Sequence, residues 1–292
     1  MPEKPQEKGA FVTEKNKRIA PVVKWVGGKR QLLDQITALL PEEIPTYCEP
    51  FLGGGAVFFA IQPQKAILND LNADLMTVYQ VIRDDVEPLL QLLKGHQNTA
   101  EYFYTIRDMD RDKAAYEAMS PVEKASRLIY LNKTCFNGLF RVNSAGEFNS
   151  PFGHYKNPNI VNEPVLRAVS EYFQSGDIAL YHEDFAQTLR RVEPGGFAYL
   201  DPPYDPVSDT ASFTGYNKGG FGQDEQRRLK DCCDDLTRRG VQFMLSNSAT
   251  DFIKNLYADY RITIVRAKRA INSDASKRGE IEEVLITNYG TE

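Results

Sequence analysis

The sequence predicts an α/β fold in which a helical, loop-bearing block, from about residue 73 to 162, is inserted into one sheet-forming domain. Three observations carry this. Short apolar runs bounded by turn residues alternate with amphipathic helical patterns in the first and last thirds of the chain, the arrangement of a sheet covered by helices. The segment between them is helical by its 3.6-residue periodicity. Its end, residues 132 to 160, is rich in Asn, Gly, Phe, Ser, Lys and Pro, and the aromatic content (Phe136, Phe140, Phe148, Phe152, Tyr155) argues against disorder in so long a loop.

Residues 1 to about 20 are polar, lack hydrophobic periodicity and read as a flexible arm. Pro21-Val22-Val23 is a short strand-like run, leading through Gly27-Gly28 into a helix with Leu32, Leu33, Ile36 and Leu40 on one face. Strands follow near 46–49 and 65–69. From Leu71 to Leu93, apolar Leu75, Val78, Tyr79, Ile82, Val86 and Leu89 mark a helix that Pro88 should kink or split. Ser120, Pro121 and Glu123 supply an N-cap, a first-turn proline and a capping-box partner for a helix running to about Leu131. The last third carries strands at 178–182, 197–200, 241–246, 261–266 and 281–287, separated by helices at 162–174, 223–238 and 250–257. The expected organisation is an arm (1–20), a sheet domain (21–72 and 163–292) and an inserted domain (73–162).

Across 292 residues the composition is that of a globular protein, 42% apolar and 26% charged. No apolar run approaches the roughly 20 residues that span a bilayer, and the N-terminus is charged where a signal peptide is apolar, so a cytoplasmic protein without membrane contact is expected. Cys48, Cys135, Cys232 and Cys233 lack metal-ligand spacing, and the three histidines are scattered, so no metal site is expected. A net charge of −5 argues against indiscriminate polyanion binding. Basic character is local: eight Lys or Arg within residues 1–30, and six within 261–278. Solvated surface is the commoner meaning of such runs.

Asp201-Pro202-Pro203-Tyr204 follows the buried-strand pattern Phe197-Ala198-Tyr199-Leu200, which puts it at the carboxyl end of a strand, where α/β sheets bind ligands. The combination suits an acceptor amino group whose lone pair is delocalised into a ring, as in adenine. Such a nitrogen is drawn towards tetrahedral geometry by acceptors on both its hydrogens. The Asp201 carboxylate is one; the Pro202 carbonyl, aimed by a stiffened turn, is the other. Tyr204 offers a flat face to an extruded base. Alone, the tetrapeptide reads equally well as a polar turn after a strand.

Glu49-Pro50-Phe51-Leu52-Gly53-Gly54-Gly55-Ala56 lies between a strand-like run and the helix-like Val57-Phe58-Phe59-Ala60. Glycines there let backbone approach a ligand, but the spacing is neither G-x-G-x-x-G nor a P-loop, so nucleotide phosphates are not implied. By itself it is a tight turn. Asp70 ends the next strand-like run, where an acid accepts from ribose hydroxyls or, more commonly, caps a helix. Together the two favour an adenosyl ligand. No Pro-Cys dipeptide offers a thiolate for attack on a base carbon, so a direct, metal-free displacement at a sulfonium methyl is expected.

With these residues in order, the chain resembles the Dam-type adenine methyltransferases, and within them the DpnM-like branch, from about residue 21 to 289. The likeness rests on Lys24-Trp25-Val26-Gly27-Gly28-Lys29, on Pro50-Phe51-Leu52-Gly53-Gly54-Gly55, on Asp201-Pro202-Pro203-Tyr204, and on two long runs. These are Phe136-Asn137-Gly138-Leu139-Phe140-Arg141-Val142-Asn143 and Glu147-Phe148-Asn149-Ser150-Pro151-Phe152-Gly153. The resemblance implies a Rossmann-like, S-adenosylmethionine-dependent methyltransferase sheet with an inserted, mainly helical DNA-recognition domain carrying a β-hairpin.

It further implies that Asp201, Pro202 and Tyr204 are catalytic, and that Trp25, Lys29, Phe51, Gly53, Gly55, Asp70, Asp184, Phe185 and Asp201 surround S-adenosylmethionine. Phe136 would wedge into double-stranded DNA beside Asn137, Leu139, Arg141 and Pro151 would contact bases, and Lys24 would read the outer guanine of GATC. Standing alone, Trp25 and Phe136 read as core aromatics, and Lys29 and Arg141 as surface charges. Some Dam relatives have tyrosine in place of Phe136, which keeps stacking and drops a hydroxyl contact. Residues 205–222 resemble the family's loop after the catalytic motif. A monomer is expected, with or without a functionally paired restriction endonuclease that forms no stable complex with it. Another DNA or RNA target, and a non-catalytic DNA-binding relative, are the alternative readings.

Overall fold

A computed structural model describes residues 15–207, 220–268 and 280–290. Among the described residues, seven strands form one sheet: β1 (Tyr47–Glu49), β2 (Lys65–Asn69), β3 (Asp177–Tyr181), β4 (Phe197–Leu200), β5 (Gln242–Ser248), β6 (Arg261–Lys268) and β7 (Glu280–Thr287). Their order is β3-β2-β1-β4-β5-β7-β6. The first five are parallel neighbours, whereas β7 runs antiparallel between β5 and β6. The order reverses between β1 and β4, which opens a crevice at the carboxyl ends of those two strands. Both are buried on both faces, which is why they read as unbroken apolar runs.

The helices are α1 (Leu33–Ala38), α2 (Ala56–Ile61), α3 (Ala73–Asp84), α4 (Val86–Lys94), α5 (Ala100–Asp108), α6 (Lys113–Ala118), α7 (Pro121–Thr134), α8 (Glu163–Ser175), α9 (Phe185–Arg190), α10 (Gln223–Arg238) and α11 (Asp251–Leu256). Alternation along the strands splits the core in two. Tyr47, Leu68, Phe197 and Tyr199 face one side and share a cluster with α2, α3, α4, α7 and α8. Cys48, Ile67, Ala198 and Leu200 face the other, under α9, α10 and α11. A third, smaller cluster of Phe103, Tyr130, Leu131, Cys135, Phe148 and Phe152 lies under the stretch after α7.

Several local expectations change. Pro21-Val22-Val23 forms no strand, although both valines are buried, and the chain just beyond it bonds a side chain instead: Asn132 accepts from the Lys24 N–H and donates to the Lys24 carbonyl, both at 2.8 Å. The 71–93 pattern does divide, but at Asp85 rather than at Pro88. Pro88 therefore sits in the first turn of α4, where its missing N–H leaves no bond unmade. The Ser120–Glu123 capping box forms, and α7 runs on to Thr134. Helices α5, α6 and α9 are short and were not legible from periodicity.

After α7 the chain makes a hairpin, held by antiparallel bridges Cys135–Phe152 and Val142–Phe148. Its support is a buried carboxylate. Asp110 accepts from the Phe148 N–H at 2.7 Å and pairs with the equally buried Arg127 at 2.9 Å, while Arg111 donates to the Phe148 carbonyl at 2.9 Å. The basic run 261–278 is described only as far as the end of β6, and residues 1–14 of the arm lie outside the described residues.

His96 stacks on Tyr130 with ring centroids 4.3 Å apart and bonds Tyr102 Oη and Ser126 Oγ, and burial holds its imidazole down at about 4. An unfolded histidine titrates near ~6.5, so the unfolded chain takes up a proton that the folded one refuses. The stability this confers is complete above the unfolded value and is lost as pH falls from about 6.5 towards 4. Denaturant melts between pH 7 and 4.5 should show that decline, and His96→Gln should flatten it.

Candidate active site

The crevice begins with the turn after β1. Gly53 and Gly55 have positive φ, +49° and +66°, and each is closed in by an aromatic ring. A Cβ at Gly53 would stand 3.0 Å from Trp25 Cδ1, and one at Gly55 would stand 2.9 Å from the Phe59 ring. Asp70 ties this turn to β2: one carboxylate oxygen accepts from the Gly53 N–H at 2.8 Å, the other from the Asn72 N–H at 2.9 Å. The N-cap of α3 is Asn72, so Asp70 is not the helix cap that its position alone suggests. Burial raises its carboxyl above the usual range despite those two bonds.

Across the crevice stands the turn after β4. Lys29 Nζ is 2.8 Å from Asp201 Oδ1, donates to the Gly27 carbonyl at 2.7 Å, and lies 4.6 Å from the centre of the Tyr204 ring. A surface charge is thus the wrong reading of Lys29, which is 7% exposed. Burial raises the Asp201 carboxyl, Lys29 opposes that rise, and Glu283 adds to it. Beneath lies Glu49, buried with its carboxylate accepting from Tyr47 Oη at 2.7 Å, and pushed well above the usual range chiefly by burial.

The backbone of the turn is held from below. Gln226 donates to the Pro203 carbonyl at 2.9 Å, Asn247 accepts from the Asp205 N–H at 3.0 Å, and Ser248 donates to the Asp205 carbonyl at 2.5 Å. No donor among the described residues bonds the Pro202 carbonyl. The segment resembling the family's loop continues through residues 208–219, which lie outside the described residues.

Phe51, Phe185 and Phe221 form a wall, with centroids 5.3 to 5.8 Å apart. Asp184 caps α9 by accepting from the Ala186 N–H at 2.9 Å and pairs with Arg228, whose guanidinium lies over Phe185. Trp25 stacks on Phe140 at 4.7 Å and so joins the glycine turn to the hairpin.

At the hairpin's near end Phe136 is 54% exposed, which overturns a core reading. Asn137 has φ +57°, Gly138 follows at +65°, and a Cβ on Gly138 would lie 2.7 Å from Lys24 Cδ. Leu139 is half-buried and Pro151 exposed, with its carbonyl accepting from the Phe136 N–H at 2.8 Å. Arg141, also exposed, donates to Asn149 Oδ1 across the hairpin at 2.7 Å. Phe136, Asn137, Leu139 and Lys24 line the same cleft as Asp70 and Asp201, a space of about 2110 Å³; Arg141 and Pro151 lie outside its lining.

Sequence reasoning missed the residues that hold these pieces together. Asn69 donates to the carbonyls of Pro50 and Glu183 and accepts from the Glu183 N–H. Asn132 links Lys24 to Gly138. Lys133 sits beside Lys24 and Arg30, and burial together with those two charges lowers its ammonium to about 8. A polar residue inside an apolar helical pattern, as Asn132 and Lys133 are in α7, was the available signal.

Strand order, the reversal between β1 and β4 and the crevice there define a doubly wound α/β enzyme fold that binds its ligand at the carboxyl ends of its strands. Within that class, residues 25–271 match the D12 class N6 adenine-specific DNA methyltransferases, and the chain belongs to that family. A type II methyltransferase of Lactococcus lactis subsp. cremoris, M1.LlaDCHI, is 44% identical over 280 residues, covering 95% of this chain and 98% of the relative. The type II methyltransferase M.MjaIII of Methanocaldococcus jannaschii is 41% identical, covering 93% and 99%. The DNA adenine methylase of Escherichia coli (strain K12) is 33% identical, covering 90% and 93%. No helix among the described residues is long and apolar enough to cross a membrane.

Because Lys29 counteracts burial at Asp201, Lys29→Met should move the Asp201 titration to higher pH. Carboxyl carbon NMR, with the signal assigned by Asp201→Asn, checks this; an unchanged midpoint would show that the pair does not set the ionisation.

Proposed function

We propose that this protein transfers the methyl group of S-adenosylmethionine to the exocyclic 6-amino group of adenine in GATC sites of double-stranded DNA. The observation that carries the reading is a single cleft shared by the glycine turn, the Lys29–Asp201–Tyr204 group and the exposed Phe136 of the hairpin. Residues 21–72 and 163–292 would form the catalytic domain, and 73–162 the target-recognition domain.

The donor fits the groups present. The ring wall of Phe51, Phe185 and Phe221 suits a flat base, the Asp70 carboxylate suits ribose hydroxyls, and the glycine turn lets the rest lie against backbone. When bound it supplies an electrophilic methyl. On the acceptor side, Asp201 and the Pro202 carbonyl, which no donor among the described residues bonds, accept the two amino hydrogens and localise the nitrogen lone pair, while Lys29 opposes the rise that burial imposes on the Asp201 carboxyl. One Tyr204 face carries the Lys29 ammonium, which leaves the other for the extruded adenine. The nitrogen gives up a proton as the methyl arrives, and Asp201, already bonded to that hydrogen, is placed to receive it.

Phe136, projecting at the cleft, is suited to fill the gap left by the base, and Asn137 and Leu139 beside it approach the same space. Asn149 orients the Arg141 guanidinium, Lys24 reaches towards the hairpin, and the charges of Lys24, Arg30 and Lys133, which pair with no carboxylate among the described residues, suit phosphates.

Transfer of labelled methyl to unmethylated plasmid, followed by mapping of modified adenines and challenge with methylation-sensitive endonucleases, tests cofactor, reaction and site together. Label confined to GATC adenines is expected; label at other sequences would remove the target assignment and leave the chemistry. Asp201→Ala should retain DNA binding in gel shifts yet lose transfer, because the residue acts on the amino group and not on the backbone. Arg141→Ala should cost about 1–3 kcal/mol at its base pair and relax specificity there, whereas equal weakening on cognate and non-cognate duplexes would mark a phosphate contact.

A further inference from the structure

Glu283 of β7 is remote in sequence from every motif singled out above, yet it stands in the crevice. Because β7 runs antiparallel, its first half reaches the carboxyl ends of the parallel strands, and Glu283 pairs in register with Ser248, the last residue of β5. Its Oε2 accepts from Tyr204 Oη at 2.7 Å, and it lines the same cleft as Asp201. No Lys or Arg among the described residues pairs with it. It also lies close enough to a second carboxylate, Asp201, to oppose the ionisation of that group, so its place beside Tyr204 needs a reason.

The geometry of Tyr204 supplies one. Its ring is held on one face by Lys29, 4.6 Å from the centroid, and at its hydroxyl by Glu283. These two contacts fix the position and the plane of the ring, and the face opposite Lys29 is the one to which an extruded base would stack. We propose that Glu283 is a positioning residue for methyl transfer: it holds Tyr204 by the hydroxyl so that the adenine amino group is presented to Asp201 and the Pro202 carbonyl. The inference rests on the function proposed above and adds to it a residue from outside the sequence motifs.

Four consequences separate positioning from mere scaffolding. Glu283→Ala leaves a half-buried hydroxyl without its acceptor and frees the ring, so the single-turnover transfer rate should fall about tenfold or more with donor affinity unchanged. Glu283→Gln keeps an acceptor oxygen and should recover most of that rate at neutral pH. It also removes a negative charge near Asp201, a group faced by Lys29, Glu49, Tyr199, Tyr204 and Glu283, so the acid limb of the rate profile should move to lower pH. In a Tyr204→Phe background, which has no hydroxyl to hold, Glu283→Ala should cost little more.

Equal loss in the Ala and Gln variants with an unmoved acid limb would overturn the proposal, as would a full cost of Glu283→Ala in the Tyr204→Phe background. A ring-carbon NMR signal from labelled tyrosine, assigned by Tyr204→Phe and read on the protein without DNA, keeps the test independent of activity. It should shift in Glu283→Ala and lie near wild type in Glu283→Gln; an unmoved signal in Glu283→Ala overturns the inference even if methylation is established. Wild-type protein that methylates no adenine would instead sink the proposed function, while this signal still reports whether Glu283 holds Tyr204.

Discussion

A buried ammonium and a half-buried carboxylate stabilise each other, and in this protein the Lys29–Asp201 pair is where separate parts of the chain meet. Lys29 comes from a strap before the first helix, and Asp201 from the turn after β4. Either charge alone in that place would carry its desolvation penalty without an opposite charge to offset it. The pair therefore obliges the strap to lie across the crevice, and Gly27, at φ +81°, turns its carbonyl to take another Lys29 hydrogen. Trp25 on the same strap then covers Gly53 and stacks on Phe140. The ion pair thus couples the floor of the site to the hairpin.

Irregular backbone is the second problem the fold solves, since the turns that carry the site have no ladder to bond. Three buried asparagines act in place of one. Asn69 joins the turn after β1 to the chain after β3; Asn132 joins the strap to the hairpin; Asn247 joins the turn after β4 to Gln226 of α10. A buried amide left without partners is costly, and each of these has two or three. The result is a site of loops with the constraint of regular structure, as catalysis by positioning requires.

Charge in the site is unbalanced on purpose of its geometry rather than by the composition of the chain. Glu49, Asp201 and Glu283 face one lysine, and burial raises the first two. Around the hairpin the balance is reversed: burial, together with the neighbouring charges of Lys24 and Arg30, lowers the Lys133 ammonium. One end of the cleft is therefore suited to hydrogen-bond donors and the other to anions, although the net charge of the chain is only −5.

Periodicity and local chemistry were enough to read the seven strands of the sheet, though they added a false one at 21–23, and the longer helices, the capping box at Ser120, the glycine turn and the acid-proline-aromatic turn, because each depends on neighbours within a few residues. Short helices such as α6 and α9 span too few turns for a periodic pattern to emerge, and Pro88 misled because a proline that splits a helix and one that opens the next look alike in sequence. What the sequence could not decide was which distant groups share a space. Exposure of Phe136, burial of Lys29 and the reach of Glu283 to Tyr204 follow from strand order and from the antiparallel run of β7. Those are set by how whole layers pack, and contacts between residues 79 apart carry no local signature.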